Sequence, residues 1–141
     1  MPARTLSLTF DGYWIDENLA LVPNEPGIFV VYECSCNPQD DRISLLKMIY
    51  IGEATDVNKR IANHEKWPEW RLFCGPSNEL CFSFAPVTGS DRARGEAALI
   101  CRHKPPANDE YKYNFPFDET SIHLSGKASM LLTHFTLQRK D

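Results

Sequence analysis

Four side chains in this sequence are of the types that move protons and hold charge at a reacting centre: Tyr50, Arg60, His64 and Glu96. Arg60 and His64 are four residues apart, so on a helix they share one face. A guanidinium presents a planar fork of donors that suits phosphate or carboxylate. An imidazole can donate or accept a proton near neutral pH. A phenol, with an ordinary pKa of about 10, is a poor base at pH 7 unless cationic neighbours lower that value. Glu96 falls in a helical stretch over 91–103 whose apolar residues include Ala97, Ala98, Leu99 and Ile100. Leu99 and Ile100 follow Glu96 by three and four positions, which puts the carboxylate on or beside the buried face. Such a carboxylate is costly unless a cation compensates it. A metal ion or an arginine would serve, and the residues alone leave both open. There is no Walker-type or dinucleotide-type glycine loop, and no serine or cysteine nucleophile motif.

Positioning these groups requires a strand, a turn and a short helix over 46–64. Leu46, Met48 and Tyr50 alternate onto one strand face, with Ile49 and Ile51 on the other. Gly52 ends the strand, and Thr55 or Asp56 can cap the helix that carries Lys59 and Arg60. Upstream, IFVVYE (28–33) is continuously apolar and reads as a central strand buried on both faces. The polar stretch CSCNPQDDRIS (34–44), with Pro38 inside it, joins the two strands as a long surface loop. ELCFSFA (79–85) alternates and gives a third strand. Pro105 and Pro106 end the second helix. Trp67 and Trp70 either cover the core or offer rings on which bases stack. At the N-terminus TLSLTF alternates, and Asp11-Gly12 followed by Tyr13-Trp14-Ile15 signals a hairpin. A second hairpin is predicted over 121–137, turning at Ser125-Gly126. The expected fold is α+β, with a small central antiparallel sheet of three strands flanked by helices and β-hairpins added at both ends.

The chain has 141 residues, 43% hydrophobic and 24% charged, a globular composition long enough to bury a core as one domain over 1–141. No apolar run approaches a membrane span, and MPARTLSLTF lacks the pattern of a signal peptide. The five cysteines, an odd number without a secretory signal, fit reduced thiols in the cytoplasm. Cys34-Ser-Cys36 has no second paired motif to complete a zinc site. The net charge of −4 counts against broad, non-specific nucleic-acid binding, because such affinity comes from neutralised phosphates. Distribution matters more. Lys59, Arg60, Arg92, Arg94, Arg102, His103 and Lys104 flank the two helices, while acids gather at Asp11, Asp16, Glu17, Glu25, Glu33, Asp40 and Asp41. Arg92 and Arg94 read equally well as solvated helix charges.

Four pieces of the sequence together resemble the GIY-YIG nuclease family. Gly27-Ile28-Phe29, preceded by Pro26, is similar to the first half of its signature. Tyr50-Ile51-Gly52 is similar to the second half and is followed by Arg60 and His64. Glu96, the Leu99-Ile100 pair, Pro105 and Asn108 resemble its metal-binding segment. The resemblance covers about 26–108 and leaves 1–25 and 109–141 as extensions.

It implies a metal-dependent endonuclease that hydrolyses phosphodiester bonds in DNA. On that resemblance Glu96 would hold a divalent cation, Mg²⁺ or Mn²⁺, with waters filling most of its shell. Arg60 would bind the phosphate oxygens, Tyr50 would take or relay the proton of the attacking water, and His64 would bond a phosphate or orient Tyr50. Asn108 would tie its loop to the core, with Gly27, Phe29, Gly52, Glu53 and Lys59 in support. Two positions depart from the family pattern. Phe29 stands where a tyrosine is usual, and Glu53 adds negative charge after the second motif. They motivate an alternative, a catalytically degenerate domain that binds nucleic acid or a protein. The partner implied is DNA, with RNA also compatible, and no membrane. Specificity would come from the extensions, a homodimer or a protein partner.

Overall fold

The computed structural model describes residues 2–37, 39 and 42–140. Pro38, Asp40 and Asp41, assigned above to a surface loop and to the acidic set, lie outside the described residues. Six strands form one mixed sheet: β1 (Arg4–Ile15), β2 (Gly27–Asn37), β3 (Arg42–Ala54), β4 (Glu79–Pro86), β5 (Thr120–Gly126) and β6 (His134–Leu137). Their spatial order is β3-β2-β4-β1-β5-β6. A 3-10 helix (Asp16–Leu21) and three α-helices, α1 (Val57–Ala62), α2 (Trp67–Leu72) and α3 (Ser90–His103), complete the described elements.

β2 is the strand from which the two cores are built. Ile28, Val30, Tyr32 and Cys34 point into one core, with Leu99 and Ile100 of α3 and Leu6, Leu8 and Phe10 of β1. Phe29 and Val31 point into the other, with Val57 and Ile61 of α1 and Trp70 of α2. The period-2 alternation of a strand thus feeds two apolar layers, which is why IFVVY (28–32) carries no charged residue on either face. α1 begins at Asp56, whose carboxylate accepts from the Lys59 N–H at 3.1 Å. The Asn58 amide donates to the Leu19 and Val22 carbonyls at 3.0 and 2.8 Å, holding α1 against the 3-10 segment.

The expected sheet of three strands with helices around it and separate terminal hairpins is overturned. β1 does not fold back on itself. It runs from Arg4 to Ile15 as one strand, parallel to β5 and antiparallel to β4, and so joins the two halves of the sheet. Gly12, at φ +149, lets the strand bulge between Gly12 and Trp14, and Trp14 and Ile15 then pair with Phe82 and Cys81. A side chain at position 12 would meet the Phe82 carbonyl oxygen at 2.9 Å. The Asp-Gly signal therefore marks a bulge, not a reversal. The pairing covers the edge that β4 would otherwise expose. It also lets α3 cover Leu6, Leu8 and Phe10.

At the other end β5 and β6 do pair antiparallel, but β6 starts at His134, not near Met130, and the pair continues the same sheet through β1. Residues between the two strands turn to bury Ala128 and Leu131 in the core with α3. The stretch read as a loop from Cys34 to Ser44 is mostly hairpin ladder, with Cys34 paired to Leu45 and Cys36 to Ile43.

Arg94 locks these parts together. It is 2% exposed, and its Nε donates to Thr120 Oγ1 at 2.7 Å. Its Nη2 donates to the carbonyls of Pro2, Asp118 and Glu119 at 3.1, 3.1 and 2.9 Å. It is neither a solvated helix charge nor part of a phosphate-facing patch. Its hydrogen bonds fasten α3 to β5 and to the start of β1.

Candidate active site

Beside the edge of β3 the chain forms a cavity of about 320 Å³ lined by Tyr50, Glu53, Arg60, His64, Lys66, Glu96, Ile100, Asn108, Asp109, Glu110 and Tyr111. The side chains arrive from separate segments. β3 supplies Tyr50 and Glu53, α1 supplies Arg60, and the turn after α1 supplies His64 and Lys66. α3 supplies Glu96 and Ile100, and the segment after α3 supplies Asn108, Asp109, Glu110 and Tyr111.

That last segment is held to β3 as if it were another strand. The Asn108 side chain accepts from the Ile51 N–H and donates to the Ile51 C=O, both at 2.9 Å. The Ala107 N–H donates to the Ile49 C=O at 3.0 Å. Asn108 is 5% exposed, so these bonds form away from water.

Under the cavity lies a floor of rings. Tyr50, Phe29, His64 and Trp70 contact one another, with the Tyr50 and His64 centroids 5.3 Å apart and His64 and Trp70 4.6 Å apart. Phe29 is fully buried and Gly52 lies opposite it on β3. A Cβ at Gly52 would come within 2.7 Å of Phe29 Cε1 and 2.9 Å of Tyr50 Cε2. Glycine is required there so that both rings can lie across the strand. Trp70 is wholly buried in the α1–α2 core, which excludes it as an exposed stacking platform.

The electrostatics are dominated by acid. Arg60 donates both ends of its fork to Glu65, at 2.7 and 2.9 Å. Lys66 pairs with Asp109 at 2.8 Å, and Arg92 pairs with Glu53 at 2.6 Å. Glu96 has no hydrogen bond or ion pair among the described residues. Burial, and then the charges of Glu53 and Glu110, push its carboxyl up to about 8. Burial, then Glu96, pushes the Tyr50 phenol up to about 12, against a smaller opposing effect of Arg60. This is opposite to the lowering by cationic neighbours that a base would need.

His64 is 5% exposed, and burial followed by the charge of Arg60 pushes it down to about 4. At neutral pH the ring is uncharged. Its Nδ1 accepts from the Lys66 N–H at 3.0 Å, so the single ring proton is on Nε2. His64 is therefore a hydrogen-bond donor at Nε2.

The donor set limits which cation fits. No group of three His, Cys, Asp or Glu able to hold a metal occurs among the described residues. That is unsuited to zinc, which takes three or four nitrogen and sulfur donors. A half-buried carboxylate without a partner, at an open polar cavity, suits a hard cation that keeps most of its waters, such as Mg²⁺ or Mn²⁺.

Of the residues singled out from sequence, Tyr50, Glu53, Arg60, His64, Glu96 and Asn108 line one cavity. Phe29 and Gly52 lie beneath it. Gly27 sits at the start of β2, opposite Ala54 and Pro86, and Lys59 is exposed on a shallow groove on the other side of Arg60. Neither lines the cavity. The basic cluster is dispersed: Arg94 is buried elsewhere, and His103 is bonded to Leu99 and Leu132. Sequence reasoning missed Glu65, Lys66, Asp109, Glu110 and Tyr111. Glu65-Lys66 directly after His64, and Asp109-Glu110 directly after Asn108, were the available signals. Compared with models of protein families, with curated proteins and with solved structures, the chain matches none.

Proposed function

We propose that this cavity hydrolyses phosphodiester bonds in DNA with the help of Mg²⁺ or Mn²⁺, as the GIY-YIG-like motifs imply. The reading is carried by one observation: a phenol, a neutral histidine donor, an arginine fork and an unpartnered carboxylate converge on one cavity from three separate stretches of chain. Glu96 would hold the cation, which when bound supplies charge to the phosphate and to the departing oxygen.

Arg60 takes the non-bridging phosphate oxygens by giving up Glu65, one pair of acceptor oxygens for another. His64 donates from Nε2 to a phosphate oxygen or to the Tyr50 hydroxyl. Tyr50 takes the proton of the attacking water only as the phenolate, becoming the neutral phenol. Its own proton must first leave to solvent through the open cavity, which needs the negative charge of Glu96 to be neutralised, since that charge helps hold the phenol protonated. Asn108 and Gly52 fix the loop and the ring positions. The five free cysteines, four of them buried, support a reducing compartment such as the cytoplasm as part of this reading. No described helix is long and apolar enough to cross a membrane.

A second reading has its own support. Arg60, Lys66 and Arg92 are each occupied by a carboxylate and the phenol is pushed the wrong way for a base. A non-cutting module that binds nucleic acid or a protein would show this. The deciding experiment is cleavage of labelled duplex, nicked, flapped, branched and single-stranded DNA, and of RNA, with Mg²⁺ or Mn²⁺. Wild type runs beside Glu96→Gln, Arg60→Ala and Tyr50→Phe. Metal-dependent cutting lost in all three variants supports the nuclease. Gel shifts without cutting support the binding module, and cutting that survives all three substitutions refutes the assigned site.

A further inference from the structure

The sheet is covered on both faces only along β2 and its neighbours. Across β1, β5 and β6 one face packs on α3 through Leu6, Leu8, Ile122 and Phe135, and the opposite face is open to water. Thr5, Ser7 and Thr9 of β1, Ser121, His123 and Ser125 of β5, and His134 and Thr136 of β6 alternate onto that open face. None of these eight side chains is an acid, a lysine or an arginine. The hydroxyls close on each other in cross-strand pairs, Thr9 with Ser125 at 2.9 Å and Ser121 with Thr136 at 2.8 Å. The row between them is occupied by His123 and His134, and neither ring has a hydrogen-bond partner among the described residues.

The register brings these two imidazoles together. The Leu124 N–H donates to the Thr133 C=O at 2.8 Å, which makes Leu124 and Thr133 a hydrogen-bonded pair. Antiparallel pairs alternate, so the adjacent His123–His134 pair is of the non-hydrogen-bonded kind, where side chains approach most closely. The ring centroids are 4.0 Å apart. At that spacing, with no lysine or arginine among the eight side chains, the two imidazoles lie side by side on one ladder rung.

We infer that His123 and His134 form a binding site for one divalent transition-metal ion of the imidazole-preferring class, Ni²⁺ or Cu²⁺, on the face of the sheet away from α3. The hard cations suited to Glu96 prefer oxygen and do not compete for it. Two protein nitrogens leave the remaining coordination positions to water or to a further ligand, so the site is open, unlike a closed structural centre. The inference is independent of the function proposed for the cavity.

The test uses the untagged full chain and Ni²⁺ as probe, a metal that spares the thiols from copper-driven oxidation. Calorimetry gives stoichiometry and affinity, and NMR follows the broadening of the histidine ring protons. The expected result is one Ni²⁺ per chain, with the His123 and His134 signals broadened together while those of His64 and His103 stay sharp. Holding the ion by two tethered imidazoles is worth about 100-fold over one. His123→Asn and His134→Asn should each weaken binding by about that factor, and the double variant should weaken it little further. Because both positions are exposed on a polar face, the variants are expected to melt with wild type. Affinity unchanged in either single variant, broadening of only one of the two rings, or binding centred on His64 or a cysteine would overturn the site.

Discussion

Glu96→Gln is the perturbation whose outcome follows most directly from the cavity. Above a pH of about 4.5 the unfolded chain releases the Glu96 proton, whereas the folded protein keeps it until pH rises to about 8. The folded state therefore binds the extra proton through this window. Its contribution to stability is full below about 4.5 and is lost as pH rises through 8. At about 1.4 kcal/mol per unit, the whole interval corresponds to no more than about 5 kcal/mol. The cavity is open and Glu96 is only partly buried, so water screens part of this, and roughly 2 kcal/mol is the working figure. For a chain of this size that is roughly 6 °C in melting temperature. Glutamine cannot ionise, so the variant should melt close to wild type at pH 5 and above it by about that amount at pH 8, in chelator. Scanning calorimetry of both proteins from pH 5 to pH 8 isolates the effect, because every other titration is common to them. Saturating Mg²⁺ at pH 8 should raise wild type selectively. A melting difference that stays flat with pH, or that favours wild type at pH 8 in chelator, would refute the assignment of Glu96 as an uncompensated carboxylate.

His64 works with the opposite sign. Its folded pKa is depressed to about 4, so its contribution is full above about 6.5 and is lost as pH falls towards 4; His64→Gln should flatten the stability-versus-pH curve in that window, read by urea denaturation. Gly52→Ala forces a methyl group into the Phe29 and Tyr50 rings; a loss of about 1–3 kcal/mol is expected by urea denaturation, with any cleavage activity falling as Tyr50 is displaced. Asn108→Ala leaves the Ile51 N–H and C=O without their partner, which should cost about 2–3 kcal/mol and increase hydrogen exchange at Ile51.

The motif strands were legible because their patterns were local. IFVVY has no charged residue on either face, and the structure gives it an apolar layer on each side. The capping oxygen of Asp56 and the four-residue spacing of Arg60 and His64 were also local. What could not be read was pairing between distant segments. TLSLTF shows that one face of β1 is buried, but nothing in it says that β5, more than a hundred residues later, is its parallel neighbour. Asp11-Gly12 is compatible with a turn or a bulge, and the choice is made by β4, which offers Phe82 and Ser83 as partners. Arg94 illustrates the same limit for charge. Composition suggests an exposed helix arginine, yet the carbonyls that bury it come from both ends of the chain. In the cavity the residue types were visible but their mutual pairing was not. Glu65, next to His64 in sequence, turned out to occupy Arg60.

The pairing of Arg60 with Glu65, Lys66 with Asp109 and Arg92 with Glu53 changes how a polyanion would respond to salt. A free cation on a protein surface gains affinity for DNA by releasing the small ions condensed on the phosphates, so binding weakens steeply as salt is added. Here each phosphate would displace a tethered carboxylate, and the released carboxylate would in turn gather a small cation from solution. The two exchanges oppose each other in the ion balance. A plot of log affinity against log salt for any nucleic acid seated in this cavity should therefore be shallower than three unpaired cations would give, and substituting Glu65 by glutamine should steepen it.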